Sequence, residues 1–171
     1  MRTPARIAKH PIHPMLVPLP IGLWIFSLVC DLAHAFGASS ANWEIVAWYT
    51  MISGIVGALL AAIPGLVDLL SLPSAIKPTG VKHMALNLTI VVLYLINVWL
   101  RRDGVTSAAI WLSVLSIALL AVSGWLGGKM VYEAGVAVEP QPLGSERYRG
   151  PERRRSASAV AYFGPERRIA I

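Results

Sequence analysis

Four long apolar runs, almost free of charge, fill most of this chain and make it a polytopic membrane protein by expectation. They cover residues 15–36, 45–70, 84–100 and 105–128. A hydrocarbon core about 30 Å thick is crossed by about 20 apolar residues at about 1.5 Å each, and these lengths match, the third being the shortest. Asp31, with His34 beside it, interrupts the first run near its end, and Asp68 interrupts the second near its end. The third and fourth runs contain no Asp, Glu, Lys or Arg. A soluble bundle would show polar helix faces, whereas these runs are apolar nearly all round. The 171 residues allow one domain, expected to be an all-α, antiparallel four-helix membrane bundle with up-down spans.

The charges lie outside the runs and set the expected orientation. Of fifteen Lys and Arg residues, thirteen fall in the N-terminal lead, between runs two and three, or after run four; only Arg101 and Arg102 lie on the other side. Positive residues stay in the cytoplasm, so both termini are expected there. Trp43, Trp48, Tyr49, Trp99 and Trp111 then mark the outer interface, and Trp125 and Tyr132 the inner one. Arg2, Arg6 and Lys9, followed by apolar sequence and Ala33-His34-Ala35, imitate a signal peptide. The apolar stretch is too long for one, and Pro11, Pro14, Pro18 and Pro20 crowd its start, so it is read as a retained span. The single cysteine, Cys30, excludes a disulfide framework and a cysteine metal site.

Three regions result: a His-Pro lead (1–14), a membrane domain (15–139) and a tail (140–171) expected to be disordered. Gly37–Asn42 and Arg101–Gly104 are expected to be outer turns, and Ser71–Val81 an inner loop broken by Pro73, Pro78 and Gly80. The tail repeats itself: Tyr148-Arg-Gly-Pro-Glu-Arg-Arg154 returns as Tyr162-Phe-Gly-Pro-Glu-Arg-Arg168. Its arginines suit anionic lipid headgroups or a protein partner; RNA, which arginine interleaved with Tyr and Phe can stack on, is the less favoured choice.

A helical residue advances about 100°, so His83, Asn87, Tyr94 and Asn97 fall within about 80° of arc on the third span. Ser27, Asp31 and His34 share a face of the first, below Pro20 and Trp24. Gly54, Gly57, Ala61, Gly65 and Asp68 line the second, and Ser113, Ser116, Ser123, Gly124 and Gly127 the fourth. Unpaired polar groups are costly in lipid, so these stripes are expected to meet inside the bundle. The glycines and serines read mainly as packing; Asp31, Asp68, His83 and Asn87 are as plausibly functional.

The sharpest local signal is His10-Pro-Ile-His-Pro14. Residues before proline favour extended geometry, and a polyproline II turn of three residues would project His10 and His13 on one side. Pro14 would then open the first helix. Asp68 and His83 are expected at the same cytoplasmic rim, together with Lys82, Asn87, Lys129, Tyr132 and Glu133. His13 and His83 are the candidate axial ligands of a haem b iron, with His10 as substitute. His10, His13, Asp68 and His83 are the candidate ligands of a transition metal. The same groups suit a proton-responsive path, or a purely structural arrangement in which His13 caps its helix and His83 pairs with Asp68. On the outer side Asp31 is expected to pair with His34, Arg101 or Arg102. No hydrolase triad, phosphate loop or HExxH motif occurs, which argues against ordinary hydrolase or nucleotide chemistry.

Several of these residues also carry a resemblance. His10-Pro-Ile-His-Pro14 followed by Val17-Pro-Leu-Pro-Ile-Gly22, Asp31-Leu32, Gly54–Gly57, Gly65–Asp68, His83 with Asn87, and Gly127-Gly-Lys-Met-Val-Tyr-Glu-Ala-Gly-Val-Ala-Val138 resemble the bacterial membrane proteins of the domain of unknown function 2231 family, over about residues 10–139. The resemblance implies a four-helix inner-membrane domain without an established activity. Similar domains are joined in some proteins to Rieske or cytochrome c modules, which implies a redox-related setting. This sequence carries no such module, and its arginine tail lies outside the family pattern. The function expected is a non-enzymatic accessory or ligand-binding membrane module, acting with a membrane redox partner or as a homodimer through the Gly54/Gly57 ridge; haem-based electron transfer and metal- or proton-linked transport are the alternatives.

Overall fold

The structure, a computed structural model, describes residues 3–37 and 42–138. The repeated tail elements, Arg2 and most of the Gly37–Asn42 turn lie outside the described residues. The chain runs through two short strands, β1 (Arg6–Ile7) and β2 (His10–Pro11), and then helices α1 (Ile12–Leu16), α2 (Pro18–Ala35), α3 (Asn42–Leu70), α4 (Lys77–Leu100) and α5 (Ser107–Tyr132). Four helical stretches, Ile12–Ala35, Asn42–Leu70, Lys77–Leu100 and Ser107–Tyr132, are long and apolar enough to cross a membrane.

The lead departs from the expected polyproline geometry. β1 and β2 form an antiparallel hairpin, Arg6 opposite Pro11 and Ile7 opposite His10. Its two turn residues, Ala8 (φ 48°) and Lys9 (φ 70°), are both left-handed, as a two-residue hairpin loop of matching twist requires. The hairpin is tied to the bundle, because the Ala5 amide donates to Asp68 Oδ1 at 3.0 Å and the Ile12 amide to the Ala5 carbonyl at 3.0 Å. Pro11 caps α1, so Pro14 sits within its first turn rather than opening it. First-turn N–H groups have no partner within the helix, so proline costs little there.

The expected inner loop is shorter than its breakers suggested. Helix α4 already begins at Lys77, with Pro78 in the tolerant first turn. Gly80 is a close-approach residue rather than a breaker: a Cβ there would lie 2.6 Å from Leu69 Cδ1 and 2.8 Å from Leu72 Cδ1. Helix α5 starts at a cap, Thr106 Oγ1 accepting from the Ala109 amide at 3.2 Å. Helix α3 continues through Pro64, which is buried.

The four stripes do turn inward. Buried positions include Trp24, Ser27 and Asp31 on α2, Gly54, Gly57, Ala61 and Asp68 on α3, Tyr94 and Asn97 on α4, and Ser113, Ser116 and Ser123 on α5. Gly124 is the exception and is exposed. Trp24, Met51, Ile55, Ile90, Val91, Tyr94 and Leu120 form the apolar centre. There the Trp24 and Tyr94 rings stack at 4.3 Å and 12°, and the indole donates to the Met51 carbonyl at 3.2 Å. The opposite faces are exposed and apolar, with Leu59, Ile63, Val92, Leu95 and Trp111 pointing outward, as lipid contact requires.

Candidate functional site

Two polar clusters occupy the bundle interior, one towards each end. The first joins α2, α4 and α5. Arg101, just past the end of α4, forms a bidentate ion pair with Asp31 on α2. Its Nε donates to Asn97 Oδ1 at 2.8 Å, and the Asn97 amide donates to the Ala109 carbonyl (2.9 Å) and Ser113 Oγ (2.8 Å). Asp31, Asn97, Arg101 and Ser113 are all buried. Of the partners expected for Asp31, the structure therefore selects Arg101, while His34 pairs with Glu44 at 2.9 Å. Tyr94 is fully buried, and among the described residues nothing bonds its hydroxyl. Apart from the Tyr94 hydroxyl, these buried groups bond to one another, which suits a structural lock.

The second cluster joins α1, α3, α4 and α5. His13 on α1 donates from Nδ1 to the Ala61 carbonyl at 2.8 Å. His83 on α4 donates from Nδ1 to the Ser123 carbonyl at 2.9 Å, with Ser123 Oγ at 3.0 Å. The Asn87 amide nitrogen donates to Ser123 Oγ at 2.7 Å and to the His83 carbonyl at 2.8 Å, with His83 Nε2 at 3.2 Å. Carbonyls only accept, so both rings carry a proton on Nδ1. The two rings stand edge to face, 6.2 Å between centroids and 89° between planes. Glycines make room for them: a Cβ at Gly65 would lie 2.7 Å from His13 Nδ1, and one at Gly127 3.3 Å from His83 Cε1.

Both rings line an interior cavity of about 230 Å³ between α2, α3 and α4. Its remaining wall is apolar except for Asn87, with Trp24 and Pro20 at the back. A larger hollow of about 840 Å³, between the start of α3 and the end of α4, is wider and open; it is bordered by Trp48, Trp99 and Arg102 and holds neither histidine.

The expected rim is only partly assembled. His13, His83 and Asn87 come together. His10 does not: it is exposed on the hairpin and bonded through Nδ1 to the Ala8 carbonyl at 2.9 Å. Asp68 is engaged by the Ala5 amide, so neither the His83–Asp68 pair nor a His13 side-chain cap forms. Among the described residues no three His, Cys, Asp or Glu side chains are placed to hold a metal ion, so the set of His10, His13, Asp68 and His83 is not gathered. The sequence reading missed the Ala61 carbonyl as the partner of His13, because a backbone acceptor leaves no mark in the sequence.

No curated protein and no solved structure matches the chain. The sequence profile of the family described as "Predicted membrane protein (DUF2231)" matches residues 9–140, a stretch that spans the whole bundle and both histidines of the cavity. By that match the chain belongs to this family of predicted membrane proteins.

Proposed function

We propose that this chain is a non-enzymatic, four-span inner-membrane module that binds a ligand in the cavity headed by His13 and His83. One observation carries this: two imidazoles from different helices, each fixed through Nδ1 to a backbone carbonyl, border one apolar cavity. A hydrogen bond at Nδ1 is the usual way a protein aims Nε2 at a bound group. Contacts also favour the up-down arrangement. As residue numbers rise along α1 and α2, their partners fall along α3, from His13–Ala61 through Trp24–Met51 to Ser27–Ala47. Asn97–Ala109 and His83–Ser123 favour the same for α4 and α5. The positive-residue bias then places both termini in the cytoplasm.

The ring spacing favours a second reading, a haem with His13 and His83 as axial ligands, since two nitrogen–iron bonds of about 2 Å would separate imidazole centroids by roughly this distance. The volume opposes it. A cavity of about 150 Å³ holds one benzene, so about 230 Å³ does not enclose a four-ring macrocycle. A reduced-minus-oxidised spectrum of the detergent-purified protein separates the two. A Soret band lost in His83→Ala establishes haem. A spectrum without one, with small-molecule binding that Ala58→Phe abolishes by filling the cavity, supports the smaller ligand.

A further inference from the structure

We infer that the ligand of this cavity is a membrane-dissolved aromatic alcohol of one or two fused rings, of the kind that forms the head of a lipid-soluble quinol. This rests on the ligand-binding reading above and specifies the occupant. The hydrogen-bond arithmetic comes first. The two hydrogens of the Asn87 amide are met most closely by Ser123 Oγ (2.7 Å) and the His83 carbonyl (2.8 Å), with His83 Nε2 at 3.2 Å, while His13 Nδ1 is spent on the Ala61 carbonyl. His13 Nε2 and Asn87 Oδ1 therefore remain as acceptors on residues that line the cavity, and acceptors in an apolar wall select a ligand that brings a donor. A metal cation would need a third ligand that the described residues do not supply, and an organic cation would have to be desolvated against an apolar wall. A neutral hydroxyl meets the requirement.

Size and surroundings narrow the class. About 230 Å³ exceeds the roughly 150 Å³ that encloses benzene by enough for ring substituents or a second fused ring, and falls short of a larger polycyclic body. Trp24 and the two imidazoles give the wall three aromatic rings, which favour an aromatic guest in stacked or edge contact. Access is from the bilayer. Leu59 and Leu66 on α3 and Leu88 on α4 border the cavity, yet each is about half exposed on the outer face. The seam between α3 and α4 therefore opens where acyl chains lie, and an alkyl tail would trail through it.

The test uses the full chain in nanodiscs, with decyl-hydroquinone kept reduced and the analogue that carries methyl groups in place of its two hydroxyls as paired probes. The two have nearly the same size and differ in the hydroxyl donors. The wild-type chain should bind the hydroquinone about tenfold more tightly than the methyl analogue. The preference should fall in His13→Ala, and both probes should be lost in Ala58→Phe. Equal affinity of the wild type for both probes, abolished by Ala58→Phe, overturns the donor assignment and leaves the ligand-binding cavity standing. Absence of any binding above protein-free nanodiscs overturns both. A haem in the purified protein, lost in His13→Ala, overturns the aromatic alcohol alone.

Discussion

Arg101 follows a helix with no other charge after Lys82, and it turns back into the bundle instead of facing solvent. A guanidinium at membrane depth is tolerable only if its donors find acceptors, and Asp31, Asn97 and Ser113 accept four bonds from it. Removing one partner leaves the other charge buried and alone. Asp31→Asn or Arg101→Met should each cost about 3–5 kcal/mol, while the double change Asp31→Leu with Arg101→Met should recover most of it. Thermal unfolding of the detergent-solubilised variants checks this, and additive losses would show that the ion pair is not the unit. Steric limits are as local. The Trp24 indole, held by Met51 and by stacking on Tyr94, lies where a Cβ on Gly54 would go. Gly54→Ala should therefore lose about 1–3 kcal/mol. Gly22 has nothing within 4 Å of a new Cβ, so Gly22→Ala should gain about 0.5–1 kcal/mol from helix propensity alone. The same melting experiment reads both.

At the scale of elements, the N-terminal hairpin rests on two left-handed residues that are neither glycine nor asparagine. Replacing Ala8 with Asn and Lys9 with Gly supplies the residues that such a loop prefers, and should stabilise the hairpin by about 1 kcal/mol. Slower hydrogen exchange at the Ile12 amide, which bonds the Ala5 carbonyl behind the hairpin, would report it. That turn also shows why the lead was hard to read. Ala-Lys is no turn signal, whereas His-Pro and Pro-rich spelling is a strong extended one, and the tether to Asp68 decided between them. The helix faces were legible because 100° periodicity acts on side chains, and in lipid the polar ones have one direction to go. Pro78 and Gly80 misled for a positional reason: proline is harmless in a first turn, and glycine inside a helix can serve close packing. The candidate site was half legible. Imidazoles announce themselves, but their anchors are carbonyls of Ala61 and Ser123, and a backbone acceptor has no residue signature.

For the whole molecule, the buried ion pair changes how the charge asymmetry should be weighed. Arg101 and Arg102 were the two positive residues set against thirteen. Arg101 is neutralised inside the bundle by Asp31, so Arg102 alone remains as an exposed counterweight, and the bias towards cytoplasmic termini is stronger than the raw tally. The chain also carries its own clean background for testing this. Its one cysteine, Cys30, is fully buried and should stay silent to a membrane-impermeant maleimide. Cysteines introduced at the exposed positions Ser74 and Asp103, in connections at opposite ends of α4, then report the two faces. In intact spheroplasts Asp103→Cys should label and Ser74→Cys should label only after permeabilisation. The opposite pattern would invert the molecule and put the His13/His83 end nearer the outer surface. Labelling of both from one side would mean that α4 does not cross, and a cavity walled by α2, α3 and α4 within lipid would lose its basis. A cavity reached through the α3/α4 seam draws on the bilayer whichever way the chain faces, so the orientation decides only which side of the membrane its histidine end is nearer.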